Sequence, residues 1–157
     1  MSRGAGSDRL RPVARVKEQN RDYAASQLSR AERELRHSEE KLEEILSMRQ
    51  DYRRRLTGEA GAIEAARLRD FNAFLMRLDE AIVQQRQQVV QQQRRVEQLH
   101  KEWLRRWGEC RTIEKVVERR VASEEAEAAR RERQESDELA RMLYQARQRG
   151  ETPGQGG

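Results

Sequence analysis

The sequence has a single cysteine, Cys110, which excludes a disulfide framework and a cysteine-based metal site. Aromatics make up only 4% of the chain and apolar residues 35%, too little apolar mass for a thick globular core. No apolar run approaches the length needed to span a membrane. The opening "MSRGAGSDRLRP" has no apolar core segment, so it does not read as a secretory signal, and a cytoplasmic location follows as the default. Glycine-rich phosphate loops and metalloprotease-type histidine pairs are also missing. His37 and His100 stand apart from any ligand pattern, and a thin helical chain offers no pocket in which paired carboxylates act. These absences argue against an enzyme and against any cofactor or metal.

Charge is abundant. Charged residues make up 39% of the chain, and 33 Lys and Arg against 28 Asp and Glu leave a net charge of +5. The signs are mixed along the chain, which suits salt-bridged helix faces better than a nucleic-acid footprint. The best basic clusters, "YRRR" at 52–55 and "ARRER" at 129–133, are short and flanked by acids, and no nucleic-acid module accompanies them.

Low apolar content leaves two readings, disorder or long helices with a thin apolar seam, and periodicity separates them. From Ala24 the spacing alternates four and three: Ala24, Leu28, Ala31, Leu35, Ser38, Leu42, Ile45, Arg49, Tyr52, Leu56. Eight of these ten positions are apolar. The same spacing runs unbroken from Leu68 through Phe71, Leu75, Leu78, Ile82, Gln85, Val89, Gln92, Val96, Leu99, Trp103, Arg106, Cys110, Ile113 and Val117 to Arg120. Twelve of those sixteen are apolar. A seven-residue repeat keeps one narrow stripe facing a partner helix, the mark of a coiled-coil seam. Upstream, Val13, Val16 and Tyr23 lie on a similar stripe shifted by one residue, which reads as a local stutter.

The two segments are parted by "LTGEAGAIE" at 56–64. Gly58 is suited to end the first helix in a left-handed backbone, and Gly61 keeps the connection flexible. A short connection makes the helices antiparallel. The expected fold is therefore all-α: two long helices in an antiparallel coiled-coil hairpin, the second longer than the first. Residues 1–8 form a flexible start and 9–149 the coiled coil, with helix 1 about 9–57, a turn at 58–62 and helix 2 about 63–149. Residues 150–157, rich in Gly and Pro, form a flexible tail. Pro12 is tolerable only near the first turn of its helix. Folding back sets Leu56 near Leu68, Tyr52 near Phe71 or Leu75, and Leu28 near Val96. At about 1.5 Å per residue the helices run about 70 Å and about 125 Å. Helix 2 thus has no intramolecular partner over roughly Lys115 to Arg149, a segment laced with pairs such as Glu127 with Arg131.

Some apolar residues exceed what a two-stranded seam needs. Met48, Phe74 and Ala81 join seam members to form a second stripe, Ile45, Met48, Tyr52 on one helix and Phe74, Leu78, Ala81 on the other. Two readings stand side by side: a widened seam, or a patch that docks a partner with Phe74 and Tyr52 as anchors.

The block "DYRRRL", then "DFNAFLMRLDEAIVQQRQQV", then Trp103, resembles the flagellar export-apparatus family FliJ. The matching positions are Tyr52, Arg53, Leu56, Phe71, Phe74, Leu78, Ala81, Ile82, Arg86, Gln87, Gln88 and Trp103. The resemblance spans roughly residues 10–140 in length and layout. It implies a non-enzymatic stalk of the flagellar type III export apparatus, an antiparallel two-helix coiled coil similar to the central stalk of rotary ATPases. Such a stalk inserts in and activates the hexameric export ATPase, acting with the ATPase's regulator. It also links the ATPase to the cytosolic domain of the export gate, and the family is associated with export chaperones. The implied location is cytoplasmic, peripherally at the inner membrane through the gate, in the service of flagellum assembly, motility and chemotaxis. The family's gate-binding face falls on Lys41, Ile45, Met48, Tyr52, Phe74, Leu78, Ala81 and Gln85. Lys41, Met48 and Gln85 depart from residues that relatives carry there. The equivalent stalk of a virulence injectisome, or a homodimeric coiled-coil scaffold, are the alternatives.

Overall fold

A computed structural model describes residues 5–58 and 64–150. Two α-helices account for nearly all of them: α1, Ala5–Gly58, of 54 residues, and α2, Ala65–Gln148, of 84. Among the described residues there is no strand. The expected all-α hairpin with a longer second helix is the fold observed. Gly61 and most of the expected turn lie outside the described residues.

The chain divides into two compact units, residues 18–108 and a second made of 1–17 with 109–157. In the first unit the helices run antiparallel. Ser38 meets Gln85, Arg49 meets Asp79 and Tyr52 meets Phe74, so partner numbers fall on α2 as they rise on α1. Its core is the expected seam. Ala24, Leu28, Ala31, Leu78, Ile82 and Val89 are buried, and so are the polar seam residues Ser38 and Gln85. Burial at every third and fourth position follows from the 3.6-residue turn, which brings only one stripe to the partner. Each buried Leu, Ile or Val stabilises the pairing by roughly 1.5–3 kcal/mol. Leu68, at the start of the α2 stripe, remains 42% exposed and adds little.

The second unit is also antiparallel, with part-buried Leu10, Ala14, Ile113 and Val117 on its seam and polar groups that join the helices. The Ser7 hydroxyl donates to one Glu124 carboxylate oxygen at 2.8 Å and its backbone N–H to the other at 3.1 Å. The Lys17 ammonium lies 3.3 Å from Glu109. Cys110 is fully buried beside Glu114, its Sγ 3.5 Å from Oε1.

The structure corrects five expectations. Residues 5–8 are helical, because Ser7 is buried and both its donors are taken up by Glu124. Pairing of α2 consequently extends to Glu124, well beyond Lys115, and from there to Gly150 only Ala129 and Ala146 are part-buried. Pro12 sits inside α1, in its second turn, where it is exposed. It has no N–H to offer the Asp8 carbonyl, and water can serve that exposed oxygen instead.

There is no stutter at Val13, Val16 and Tyr23. All three are exposed, and the four-three spacing continues back from Ala24 through the part-buried Arg21, Lys17, Ala14 and Leu10. Hydrophobicity pointed to the valines, whereas the phase runs through Leu10, Ala14 and the polar Lys17 and Arg21, whose charged ends pair with Glu109 and Asp22. Lastly, Gly58 keeps a helical backbone. The end of α1 is served by the Thr57 hydroxyl, which donates to the carbonyls of Arg53 and Arg54 at 3.1 and 3.0 Å. The left-handed glycine is Gly150 at φ 75°, where the N–H groups of Arg149 and Gly150 close the last turn of α2 on Gln145 and Arg147.

Candidate docking surface

The late turns of α1 and the early turns of α2 bring together the chain's densest aromatic group. Tyr52 stacks on Phe74 with ring centroids 4.3 Å apart and planes 28° apart, and meets Phe71 edge-on at 5.6 Å and 62°. Offset and edge contacts of this kind suit the ring quadrupoles and add about 0.5–1.5 kcal/mol to area burial. Arg67, Asp70 and Phe71, with Tyr52 and Phe74, line an open cleft beside the stack. Arg67, Asp70, Phe71 and Phe74 recur at steps of three, one and three residues, so they share one face of α2. One turn further along, the Arg49 Nε lies 2.6 Å from an Asp79 carboxylate oxygen, an ion contact without hydrogen-bond alignment.

The eight positions expected to face a partner do not form one uniform surface. Lys41 is exposed and Met48 is 48% exposed. Ile45, Tyr52, Phe74 and Ala81 are part-buried, each with some surface left. Leu78 and Gln85 are buried in the seam. The Gln85 amide donates to the Ser38 carbonyl at 3.0 Å across the helices, so its hydrogen-bonding capacity is already turned inward. Met48 sits in a shallow acidic groove with Glu40, Glu43, Glu44, Ser47 and Asp51. A partner meeting this surface would find a thioether among carboxylates on α1 and a half-covered aromatic pair at the cleft.

Residues that the pattern of extra apolar positions passed over are Phe71, Arg67 and Asp70. Phe71 falls on a seam position, and the two charged residues carry no hydrophobic signal. Their spacing relative to Phe74 was the available clue.

The remaining polar features belong to the helix surfaces. A second shallow groove is lined by Arg30, Arg33, Glu34, His37, Ser38, Gln88 and Gln92, with Arg30 and Glu34 paired at 3.5 Å. His100 lies tilted against Trp103 at 6.0 Å. Glu102 accepts hydrogen bonds from Arg105 at 2.7 Å and Arg106 at 3.0 Å. The Arg105 bond chiefly holds its carboxyl below the usual carboxylate value, desolvation opposes this, and Arg106 adds to it. Among the described residues no group of three His, Cys, Asp or Glu is placed to hold a metal, and no helix is long and apolar enough to cross a membrane.

No curated protein and no solved structure matches the chain. The family model described as FliJ, flagellar FliJ protein, matches residues 6–149, nearly all of both helices. With the antiparallel helix pair on which that match lies, the chain belongs to the FliJ family and is a flagellar export-related coiled-coil protein.

Proposed function

We infer that this protein is a non-enzymatic stalk of the flagellar export apparatus. It inserts in the ring of the hexameric export ATPase, raises the ATPase's activity, and links it to the cytosolic domain of the export gate. The observation that carries this reading is the family match over residues 6–149 on a two-helix coiled coil. Three features of the chain support it. Its surface is charged with both signs interspersed, which lets a helix pair lie within a ring without adhering to it. Among the described residues, α2 after Glu124 is exposed except at Ala129 and Ala146, and this is the part available to the ring. A lone helix of that kind is marginal in water and is stabilised by a surrounding partner.

The gate contact falls to Lys41, Ile45, Met48, Tyr52, Phe74 and Ala81, whose surfaces are at least partly open, with Tyr52 and Phe74 as anchors. Leu78 and Gln85 support this face from beneath. The protein is then cytoplasmic, peripheral to the inner membrane through the gate, and available to export chaperones and to the ATPase's regulator.

The test is a reconstitution of the purified chain with the export ATPase and with the gate's cytosolic domain. The expected result is stimulated ATP hydrolysis, together with gate binding that Phe74→Ala weakens at unchanged helicity. Absence of stimulation across saturating concentrations, with no gate binding, overturns the reading.

A further inference from the structure

The α2 helix carries a second stripe with the same seven-residue period as the seam, and the hairpin leaves it uncovered. Met76 is 65% exposed, Val83 55%, Val90 42% and Leu104 47%. They lie at strict multiples of seven, with Glu97 in the remaining place. Each directly follows a seam position (Leu75, Ile82, Val89, Trp103), so the stripe is turned about 100° from the seam around the helix axis. An apolar row that keeps a seven-residue period stays aligned with a second left-handed supercoiled helix. A straight helix drifts off it by about 20° per heptad.

The charges beside the stripe say which helix fits. On one flank stand Asp79, Arg86, Gln93 and His100, and on the other Glu80, Gln87, Arg94 and Lys101. The acids are at one end, and the bases stand toward the middle and the other end. Two copies of α2 laid antiparallel about a twofold axis at Val90 bring opposite ends together. Met76 then meets the second copy's Leu104, Val90 meets its own counterpart, and Val83 meets Glu97. In an antiparallel pair each flank faces the same flank of the other copy. Glu80 therefore meets Lys101, Asp79 meets His100, Arg86 meets Gln93, and Gln87 meets Arg94. No two like charges oppose each other anywhere along the row. A parallel pairing sets each flank against the other flank, so Asp79 meets Glu80, Arg86 meets Gln87, Gln93 meets Arg94 and His100 meets Lys101, which repels at the acidic end and offers no opposite-charge pair.

We propose that the exposed Met76–Val83–Val90–Leu104 stripe of α2 is a self-association surface, on which a second copy of this chain docks antiparallel about Val90. Self-complementarity under a twofold axis is what an isologous contact requires. The contact uses one apolar row flanked by exposed charges, so it is weak, concentration-dependent and sensitive to salt. It is separate from the gate and ring assignments above and does not depend on them.

Sedimentation equilibrium of the full chain, from low to high micromolar and at low salt, tests it. The mass is expected to rise from one chain toward two. Val90→Asp weakens association about tenfold or more at unchanged helicity. Lys101→Glu weakens it as well, and adding Glu80→Lys restores it. With Cys110 replaced by serine, Val90→Cys is expected to form a disulfide-linked dimer on mild oxidation, because residue 90 alone meets its own copy, whereas Gln91→Cys does not. A chain that stays monomeric throughout, a dimer that survives Val90→Asp, or equal crosslinking at 90 and 91 each overturns the proposal.

Discussion

The two units of this chain use one repeat to different ends. In residues 18–108 the seam is mainly apolar, with Leu28, Leu78, Ile82 and Val89 buried. In the unit made of 1–17 and 109–157 the seam of part-buried Leu10, Ala14, Ile113 and Val117 and buried Cys110 is thinner, and Ser7 with Glu124 and Lys17 with Glu109 add polar contacts across the helices. Apolar burial is non-directional and scales with area, so the first unit tolerates small shifts. Hydrogen bonds to a carboxylate depend on geometry, and they contribute much less net free energy once water is the alternative partner. An unbroken heptad phase thus sets where helices meet without setting how firmly.

The largest expected effect comes from the apolar unit. Ile82→Ala opens a cavity in the seam and is expected to destabilise the fold by about 3 kcal/mol, read from chemical denaturation followed by circular dichroism. Phe74→Ala removes the ring stacked on Tyr52 and is expected to cost about 1–2 kcal/mol in the same assay. Because Phe74 also borders the cleft, gate binding should fall by more than this loss of stability accounts for.

In the polar unit, Ser7→Ala is expected to cost about 1 kcal/mol. Its signature is local: amide exchange over residues 5–10 rises, while exchange near Ile82 stays as in the parent. If both regions change together, the two units share one cooperative transition and the contrast fails. Gln85→Leu probes a polar position within the apolar unit. It removes the buried hydrogen bond to Ser38 and adds apolar contact, so stability should change little or rise, while the uniqueness of the helix register declines. Spin-label distances across the hairpin would then broaden.

The smallest effect concerns Glu102. Its carboxyl lies below the ordinary value in the folded chain, so its contribution is present above the unfolded carboxylate pKa and is lost as pH falls through the lower folded one. Exposure to solvent keeps this contribution small. Glu102→Gln should flatten only a slight part of the acid limb of stability, and a large loss at neutral pH would show that Glu102 does more than accept from Arg105 and Arg106.

Much of the seam could be read before any coordinates. From Ala24 to Leu56 every expected position is buried or part-buried, and on α2 only Leu68 and Arg120 fall outside. The pairing of Tyr52 with Phe71 was legible for the same reason. What escaped was polar. Lys17 and Arg21 carry the seam in place of Val16 and Tyr23, and Ser7 holds Glu124, because a hydrophobicity pattern does not register polar side chains that are buried through a partner. The candidate surface was half legible. Phe74 stood out as a surplus aromatic beside the seam residue Tyr52, but the inward bond of Gln85, the burial of Leu78 and the cleft edges at Arg67 and Asp70 depend on where the second helix lies.

The amino-acid sequence alone determined that the chain is helical, that it folds back on itself and which stripe of each helix is covered, since those follow from a local repeat and its interruption. Only the tertiary structure decided how far the pairing reaches, which seam positions are held by charge, and which apolar residues remain in water. Those outcomes depend on contacts between residues as far apart as Ser7 and Glu124, and a periodicity along one helix carries no information about the group that stands opposite.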